Sequence, residues 1–324
     1  MKSPTIKDVA KRSGVGIGTV SRVLNNNPQI SEKTREKVQK AIKELNYVPN
    51  VIGKKLSQNR SYVIAVVVPV INHPFFATLI EELEIAADKH NYSLLLATSQ
   101  HRIEKEREIL RRLAQNEADG AIFVTHYKHD ESEFDNLAIV SIDRHLGKDI
   151  PVVTSNNYEA TKQGIEYLYN KGARRIGYLG SKPTSNSEVS YREQAYLDFV
   201  KEHNLEPLIV NEVIDHYQEK AVVDKFLDSY PDIDGVFVSN CTLEHILLKE
   251  LHKRQIKVPE DIQVISYDGA FDTEGYLKTT TLQQPIKLMA KQCVELLIRL
   301  INNEKDVDNL SVFDCEFIKG STTY

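Results

Sequence analysis

Near the start of the chain, "GIGTVSRVLNNN" gathers Ile17, Gly18, Thr19, Ser21, Arg22 and Asn25 within one short stretch. An arginine presents a planar fork of N–H donors that matches two neighbouring acceptors on one partner. Hydroxyls and a side-chain amide donate single hydrogen bonds, which suits anionic oxygens. A second set of reactive types is scattered but recurs at equivalent places. Asp143 follows the apolar run "LAIVSI", Asn240 follows "GVFVS" and Asp268 follows "IQVISY". His73, Pro74, Phe75 and Phe76 follow the first such run, "YVIAVVVPV". Carboxylates and amides beside an aromatic face suit a ligand dense in hydroxyls, because each hydroxyl both donates and accepts.

The first set must be positioned by the opening sixty residues. Ile6, Val9 and Ala10 are spaced i, i+3, i+4, as are Val20, Val23 and Leu24; Val38, Ala41, Ile42 and Leu45 repeat the pattern. Three short helices around one small apolar cluster are expected, with Gly14 in the turn between the first two. Ser31 fits as the N-cap of the third helix, and Pro49 stands beyond its end. With Val20, Val23 and Leu24 turned inward, Ile17, Gly18, Ser21 and Arg22 share the outer face of the second helix, with Thr19 beside them. A face of small residues plus one arginine lets a helix sit deep in a groove. The DNA major groove admits a helix, and there arginine bonds O6 and N7 of guanine while a small apolar group meets a thymine methyl. Hydroxyls of Thr19, Ser21 and Ser31 and the amide of Asn25 suit phosphate oxygens. The segment reads as a helix-turn-helix whose partner is double-stranded DNA.

Charge agrees with that reading. The chain's net charge is −5, but residues 1–60 hold 13 Lys/Arg against 4 Asp/Glu and the remainder 28 against 42. A basic head on an acidic body is the asymmetry expected when one end meets a polyanion.

From Tyr62 onward, short continuous apolar runs alternate with amphipathic stretches such as "FFATLIEELEIAADKH" and "YREQAYLDFVKEHN". Strands without alternation, separated by helices, imply a parallel sheet covered on both faces. The strands are too many for one sheet, so two similar α/β halves dividing near residues 153–160 are expected. Ligands bind beyond the carboxyl ends of parallel strands, so the strand-end residues should converge on one cleft. Three widely spaced cysteines, Cys241, Cys293 and Cys315, form no CxxC pair and read as reduced thiols. No apolar run is long enough for a membrane and "MKSPTIKDVAKRSG" lacks a signal-peptide core, so a soluble intracellular protein is expected, with no membrane partner. No phosphate-binding GxxxxGK loop, zinc-spaced set or GxSxG turn is present, and neither a cofactor nor an enzymatic activity is expected.

"TIKDVAKRSGVGIGTVSRVLNNN", "ISEKTREKVQKAIKELNYVPN" and "VIGKKLSQNRS" resemble the DNA-binding headpiece of the LacI/GalR repressors. "NHPFFATLIEELEIAADKHNYSLLL", "SIDRHL", "KGARRIGYLG", "VPEDIQVISYD", "TTLQQPIKLMAKQCVELLIRLI" and "KGST" resemble the periplasmic-binding-protein-like effector domain of the same family. The resemblance implies a small all-α helix-turn-helix headpiece (1–48), a hinge helix and linker (49–61) and a two-subdomain α/β effector domain with parallel sheets (62–324). Its N-subdomain would span about 62–155 and 286–316, and its C-subdomain about 156–285 and 317–324.

The implied DNA-contacting set adds Thr5, Thr34, Tyr47 and Asn50 to the residues above, and Leu56 as a minor-groove wedge on the hinge helix. The implied effector-binding set is Phe75, Phe76, Asp143, Arg192, Tyr217, Asn240 and Asp268. Four departures from the family pattern stand out: Gly16 replaces an N-capping serine, Gly53-Lys54 replace Ala-Arg, and Cys241 and Gly269 replace acidic residues beside the cleft. The expected function is a homodimeric transcriptional repressor of a carbohydrate operon, released from operator DNA by a sugar or sugar phosphate. The closing "STTY" carries no leucine heptad, which favours a dimer over a coiled-coil tetramer. A regulator using a purine-type corepressor or a phosphorylated partner protein shares this architecture, as does a sugar-binding protein without a regulatory role.

Overall fold

A computed structural model describes residues 4–24, 27–47, 60–182, 186–210, 212, 218–268, 279–304 and 306–324. The expected hinge helix with Asn50 and Leu56, and also Asn25 and Tyr217, lie outside the described residues. The chain divides into two compact units, Met1–Arg60 and Ser61–Tyr324.

The first unit holds α1 (Ile6–Ser13), α2 (Ile17–Leu24) and α3 (Glu32–Glu44). The Thr5 amide donates to the Asp8 carboxylate at 2.8 Å and the Thr5 hydroxyl at 2.7 Å, closing the start of α1. Gly14 ends α1 at φ +69°, the left-handed region that glycine enters without a Cβ penalty. Gly16 sits just before α2, and its carbonyl accepts from Thr19 N at 2.9 Å and Val20 N at 3.1 Å. Ser31 caps α3, its hydroxyl accepting from Thr34 N at 3.4 Å. Val9, Ala10, Val20, Val23, Val38 and Ala41 form the core, with Ile6, Leu24, Ile42 and Leu45 packed around it.

The second unit is two α/β lobes. In the first lobe the strands are β1 (Val63–Val68), β2 (Ser93–Thr98), β3 (Gly120–Phe123), β4 (Ile139–Ile142), β5 (Val152–Ser155) and β11 (Leu310–Phe313), in the sheet order β11-β5-β4-β3-β1-β2. All pairings there are parallel. Ile64, Val66 and Val68 face α4 (Pro74–Asp88) and α10 (Ile286–Ile301), while Ala65 and Val67 face α5 (Ile103–Ala114). Both faces of β1 are therefore buried, which is why its sequence shows no polar alternation.

The second lobe repeats the plan. Its strands are β6 (Ile176–Leu179), β7 (Leu208–Ile209), β8 (Gly235–Val238), β9 (Gln263–Tyr267), β10 (Thr280–Gln283) and β12 (Glu316–Ile318), in the order β12-β10-β9-β8-β6-β7. Only β12 on β10 is antiparallel among the described pairings. One face packs on α6 (Asn157–Asn170) and α7 (Ser190–Glu202), the other on α8 (Glu219–Ser229) and α9 (Cys241–Lys253). The chain passes between lobes at three places: Ser155 to Asn157, Gln283 to Ile286, and Phe313 to Glu316. The first crossing falls inside the stretch where the sequence pattern changes halves.

Candidate functional site

In the first unit, α2 presents the face expected of it. Val20 and Val23 are buried, while Ile17, Gly18 and Arg22 are exposed and Thr19 and Ser21 half-buried. Ile17 keeps 45% of its surface in water, which no packing within this unit requires. A Cβ added at Gly18 would meet no atom within 4 Å. Glycine inside a helix costs roughly 1 kcal/mol relative to alanine. Its presence at Gly18 is therefore unexplained by internal packing and leaves bare backbone for a closely approaching partner. Thr5 and Ser31 are exposed at the starts of α1 and α3, each already engaged in its helix cap; the half-buried Thr34 meets the Ser31 hydroxyl at 2.9 Å. Tyr47 departs from its expected surface role. It is 7% exposed and belongs to the headpiece core, because the chain folds back after α3 and lays the ring on that core.

In the second unit, the carboxyl ends of both sheets face each other. The contact that shows this is His73 Nε2 after β1 against Cys241 Sγ after β8, at 3.7 Å. Asp143 and Asp268 stand at equivalent strand ends, after β4 and β9, with φ of +60° and +78°. Left-handed backbone at non-glycine residues is uncommon and clusters at binding sites.

Arg192, on the first turn of α7 and 3% exposed, is the centre of the second lobe's contribution. Its Nε donates to Asn157 Oδ1 and its Nη1 to the Ser239 carbonyl, both at 2.6 Å. Its guanidinium lies 3.5 Å from the centre of the Tyr267 ring, and Nη1 is 3.9 Å from Asp268 Oδ2. Burial raises the pKa of Asp268, against the opposing pull of Arg192 and of the Gln284 amide that donates to it. Asp143 joins the same network from the first lobe. Thr154 Oγ1 donates to Asp143 Oδ1 at 2.7 Å and accepts from Asn157 Nδ2 at 3.1 Å, so Asn157 links Asp143 to Arg192.

Three expected effector residues have duties of their own in this structure. Asn240 caps α9, its Oδ1 accepting from Leu243 N at 3.0 Å, which leaves mainly its NH2 group for a ligand. Phe75 and Phe76 start α4 but are only 5% and 7% exposed, since that turn packs into the first lobe's core. They back the cleft more than they line it.

The structure adds residues that the sequence reading passed over. Arg144, 9% exposed, donates to Ser187 of the other lobe and to the Asp143 carbonyl; among the described residues it makes no ion pair. Gln284 follows β10 and reaches Asp268. His126 follows β3 and is exposed; desolvation together with the positive charge of Arg144 lowers its imidazole. Its loop is fixed from below by Glu106, which accepts from Thr125 Oγ1 at 2.6 Å and meets His129 Nε2 at 2.7 Å. Desolvation lowers His73 to about 4. Taking one further residue after "LAIVSI" would have found Arg144, whereas Gln284 directly follows β10, whose sequence "TTLQ" is not an apolar run.

The described residues contain no cluster of side chains able to hold a metal ion, and no described helix is long and apolar enough to cross a membrane.

A three-helix unit with an outward recognition face, joined in one chain to a two-lobed α/β cleft, defines the class of ligand-linked regulators. The chain belongs to the LacI family of bacterial regulatory proteins. Residues 5–50 match the model of the lacI family of bacterial regulatory proteins, and residues 165–323 that of the periplasmic binding protein-like domain. It is 32% identical to the ribose operon repressor of Halalkalibacterium halodurans, over 93% of this chain and 91% of that one. It is 33% identical to the sucrose operon repressor of Streptococcus mutans, over 92% of this chain and 93% of that one. Among solved structures, a transcriptional regulator CelR–cellobiose complex is 28% identical with a TM-score of 0.73, covering 98% of this chain and 99% of that one. The lac repressor dimer bound to operator and the anti-inducer ONPF, 23% identical with a TM-score of 0.86 over 99% of both chains, shares the fold.

Proposed function

We propose that the protein is a sugar-responsive transcriptional repressor that binds operator DNA through α2 and releases it when a carbohydrate fills the cleft. The observation that carries the DNA half is the outward face of α2, with exposed Ile17, bare Gly18 and exposed Arg22 on a basic unit. Arg22 reads guanine, Ile17 meets a thymine methyl, and Thr19, Ser21, Ser31 and Thr34 position the unit on phosphates. Relatives named as ribose and sucrose operon repressors support the carbohydrate half. Two headpieces of a dimer would read half-sites about one helical turn apart. Exposed Ile71 after β1, Ile85 on α4 and Leu96 on the edge strand β2 offer apolar surface for a second copy. Leu56 would enter the minor groove from a hinge helix.

The cleft favours an uncharged sugar over its phosphate. The two arginine charges near the cleft, Arg144 and Arg192, are equalled in number by the carboxyls of Asp143 and Asp268, while His73 stays neutral near pH 7 because burial holds it at about 4, and His126 because desolvation and the positive charge of Arg144 lower it. Neutral imidazoles donate and accept at once, as sugar hydroxyls do. Ligand acts by population shift, binding one setting of the lobes more tightly than the other.

The test is DNA retention by the purified protein on genomic fragments, with and without D-ribose, sucrose and D-ribose 5-phosphate, alongside melting-temperature shifts. Selective retention of a pseudo-palindromic fragment, weakened by a neutral sugar, is expected. Retention of no fragment over bulk competitor would refute the DNA reading. A response to the phosphate ester alone would refute the neutral-ligand reading.

A further inference from the structure

The lobes move relative to each other only by bending where the chain crosses between them, and one phenol meets two of the three crossings directly and the other through Ser155. Tyr267, the last residue of β9, is fully buried. Its hydroxyl lies 2.9 Å from Ser155 Oγ at the first crossing and 3.0 Å from Cys315 Sγ at the third. Ser155 Oγ in turn donates to Gln284 Oε1 at the second crossing, at 2.9 Å.

A count of protons fixes the direction of this chain. The Gln284 NH2 group donates to Asp268, so its Oε1 faces Ser155 and can only accept. Ser155 spends its single proton there, so it accepts from Tyr267. Tyr267 spends its own proton on Ser155, so the thiol of Cys315 donates to the phenol oxygen. A thiol carries its proton at neutral pH, and burial pushes this one further up, to about 11. The relay therefore runs from Cys315 through Tyr267 and Ser155 to Gln284 and ends on the Asp268 carboxylate in the cleft. The face of the same phenol ring carries the Arg192 guanidinium.

We propose that Tyr267 is a positioning residue that couples Arg192 and Asp268 to all three inter-lobe crossings. It holds the guanidinium by its ring and the crossings by its hydroxyl. A ligand that draws Arg192 or Asp268 toward itself pulls on the crossings through this side chain. The functional consequence rests on the sugar-binding reading of the cleft, whereas the coupling itself is a property of the ligand-free chain.

Tyr267→Phe keeps the ring under Arg192 and removes only the hydroxyl. Hydrogen–deuterium exchange of the full-length protein is the primary test. The amides of Asn156 and Cys315, bonded to the Phe313 carbonyl and the Asn156 side chain, should exchange about tenfold faster, with the interior strands β1 and β8 unchanged. Ser155→Ala should give the same acceleration, and the double variant no more than either alone. Unchanged exchange at the crossings, additive effects, or a uniform rise across the second lobe would each overturn the proposal. Where D-ribose or sucrose releases DNA from the wild type, Tyr267→Phe should bind that sugar within about threefold yet need about tenfold more for release. Parallel loss of binding and release would overturn the coupling. If neither sugar binds the wild type, the ligand assignment falls and exchange alone decides the role of Tyr267.

Discussion

Replacing Arg192 by methionine should destabilise the second unit by an amount that grows with pH. The guanidinium sits 3.9 Å from the Asp268 carboxylate and makes no bond to it, so the pair is Coulombic. At that distance and an effective dielectric constant near 20, the attraction is about 4 kcal/mol. Methionine also leaves the buried acceptors Asn157 Oδ1 and Ser239 O without their 2.6 Å donor, at roughly 1 kcal/mol or more each. Against this, the variant no longer buries a guanidinium, which returns several kcal/mol. The net cost at neutral pH is about 3–5 kcal/mol, the usual result of stranding one member of a buried pair. Its pH dependence follows from Asp268. Burial already raises that carboxyl's pKa in the folded protein, and Arg192 opposes the rise. Without Arg192 it rises further. A carboxyl with a raised folded pKa binds its proton more tightly in the folded state, so stability is highest when it is protonated and falls as pH climbs through the folded pKa. The deficit relative to wild type should be smaller at about pH 5 than at about pH 8. Urea unfolding at both pH values, followed by circular dichroism, measures it. Arg192→Met combined with Asp268→Asn should recover more than half of the loss at about pH 8. An equal deficit at both pH values, or a double variant no better than the single, would show that no stranded carboxylate is involved.

Three further outcomes are expected. Arg22→Ala should cost about 1–3 kcal/mol of discrimination between operator and scrambled duplex in a competition gel-shift, with headpiece helicity unchanged; equal discrimination would remove the base-reading role. Gly18→Ala should raise headpiece stability by about 0.5–1 kcal/mol in thermal melts, since the added methyl meets nothing within 4 Å, while weakening or redirecting DNA binding; improved stability with unaltered DNA binding would mean that the bare backbone serves no contact. Tyr47→Phe should leave operator affinity within about twofold while Tyr47→Ala costs about 3–5 kcal/mol of headpiece stability, because the ring is core; a large affinity loss in Tyr47→Phe would restore its hydroxyl to the DNA interface.

The headpiece was legible in the sequence because its packing is local. Val9, Val20, Val23, Val38 and Ala41 all sit on helical faces that a spacing rule exposes, and all are buried. Tyr47 escaped because no helical register governs a residue beyond the end of α3. In the second unit, the strand-end rule pointed to Asp143 and Asp268, and both carry a positive φ. The same rule misjudged Phe75 and Phe76, because the residues after a strand also open a helix, and an aromatic there turns inward when the helix packs on the sheet. Asn240 shows the converse: its place after β8 is right, but the position is also a helix N-cap that claims its carbonyl oxygen. Tyr267 was hidden for a different reason. Its partners lie 112 and 48 residues away along the chain, and nothing in the local pattern "IQVISYD" announces them.

The division of labour between apolar and polar contacts explains how a small ligand could move so large a body. Among the described residues, each core cluster belongs to a single lobe: two cover the faces of the first sheet and two those of the second. Between the lobes, polar contacts among the described residues include Arg144 with Ser187, His145 with Glu188 at 2.6 Å, and His73 with Cys241. Rotation of one lobe against the other therefore exposes little apolar surface, the term that would otherwise resist it at about 25 cal/mol for each Å². Polar partners that separate are rehydrated, so each such contact costs only about 0.5–1.5 kcal/mol net. Two settings of the lobes can then lie within a few kcal/mol of one another, and a ligand preferring one setting about 10⁴-fold, roughly 5.5 kcal/mol, suffices to invert their populations. A continuous apolar core across the cleft would have placed that switch beyond the reach of any sugar.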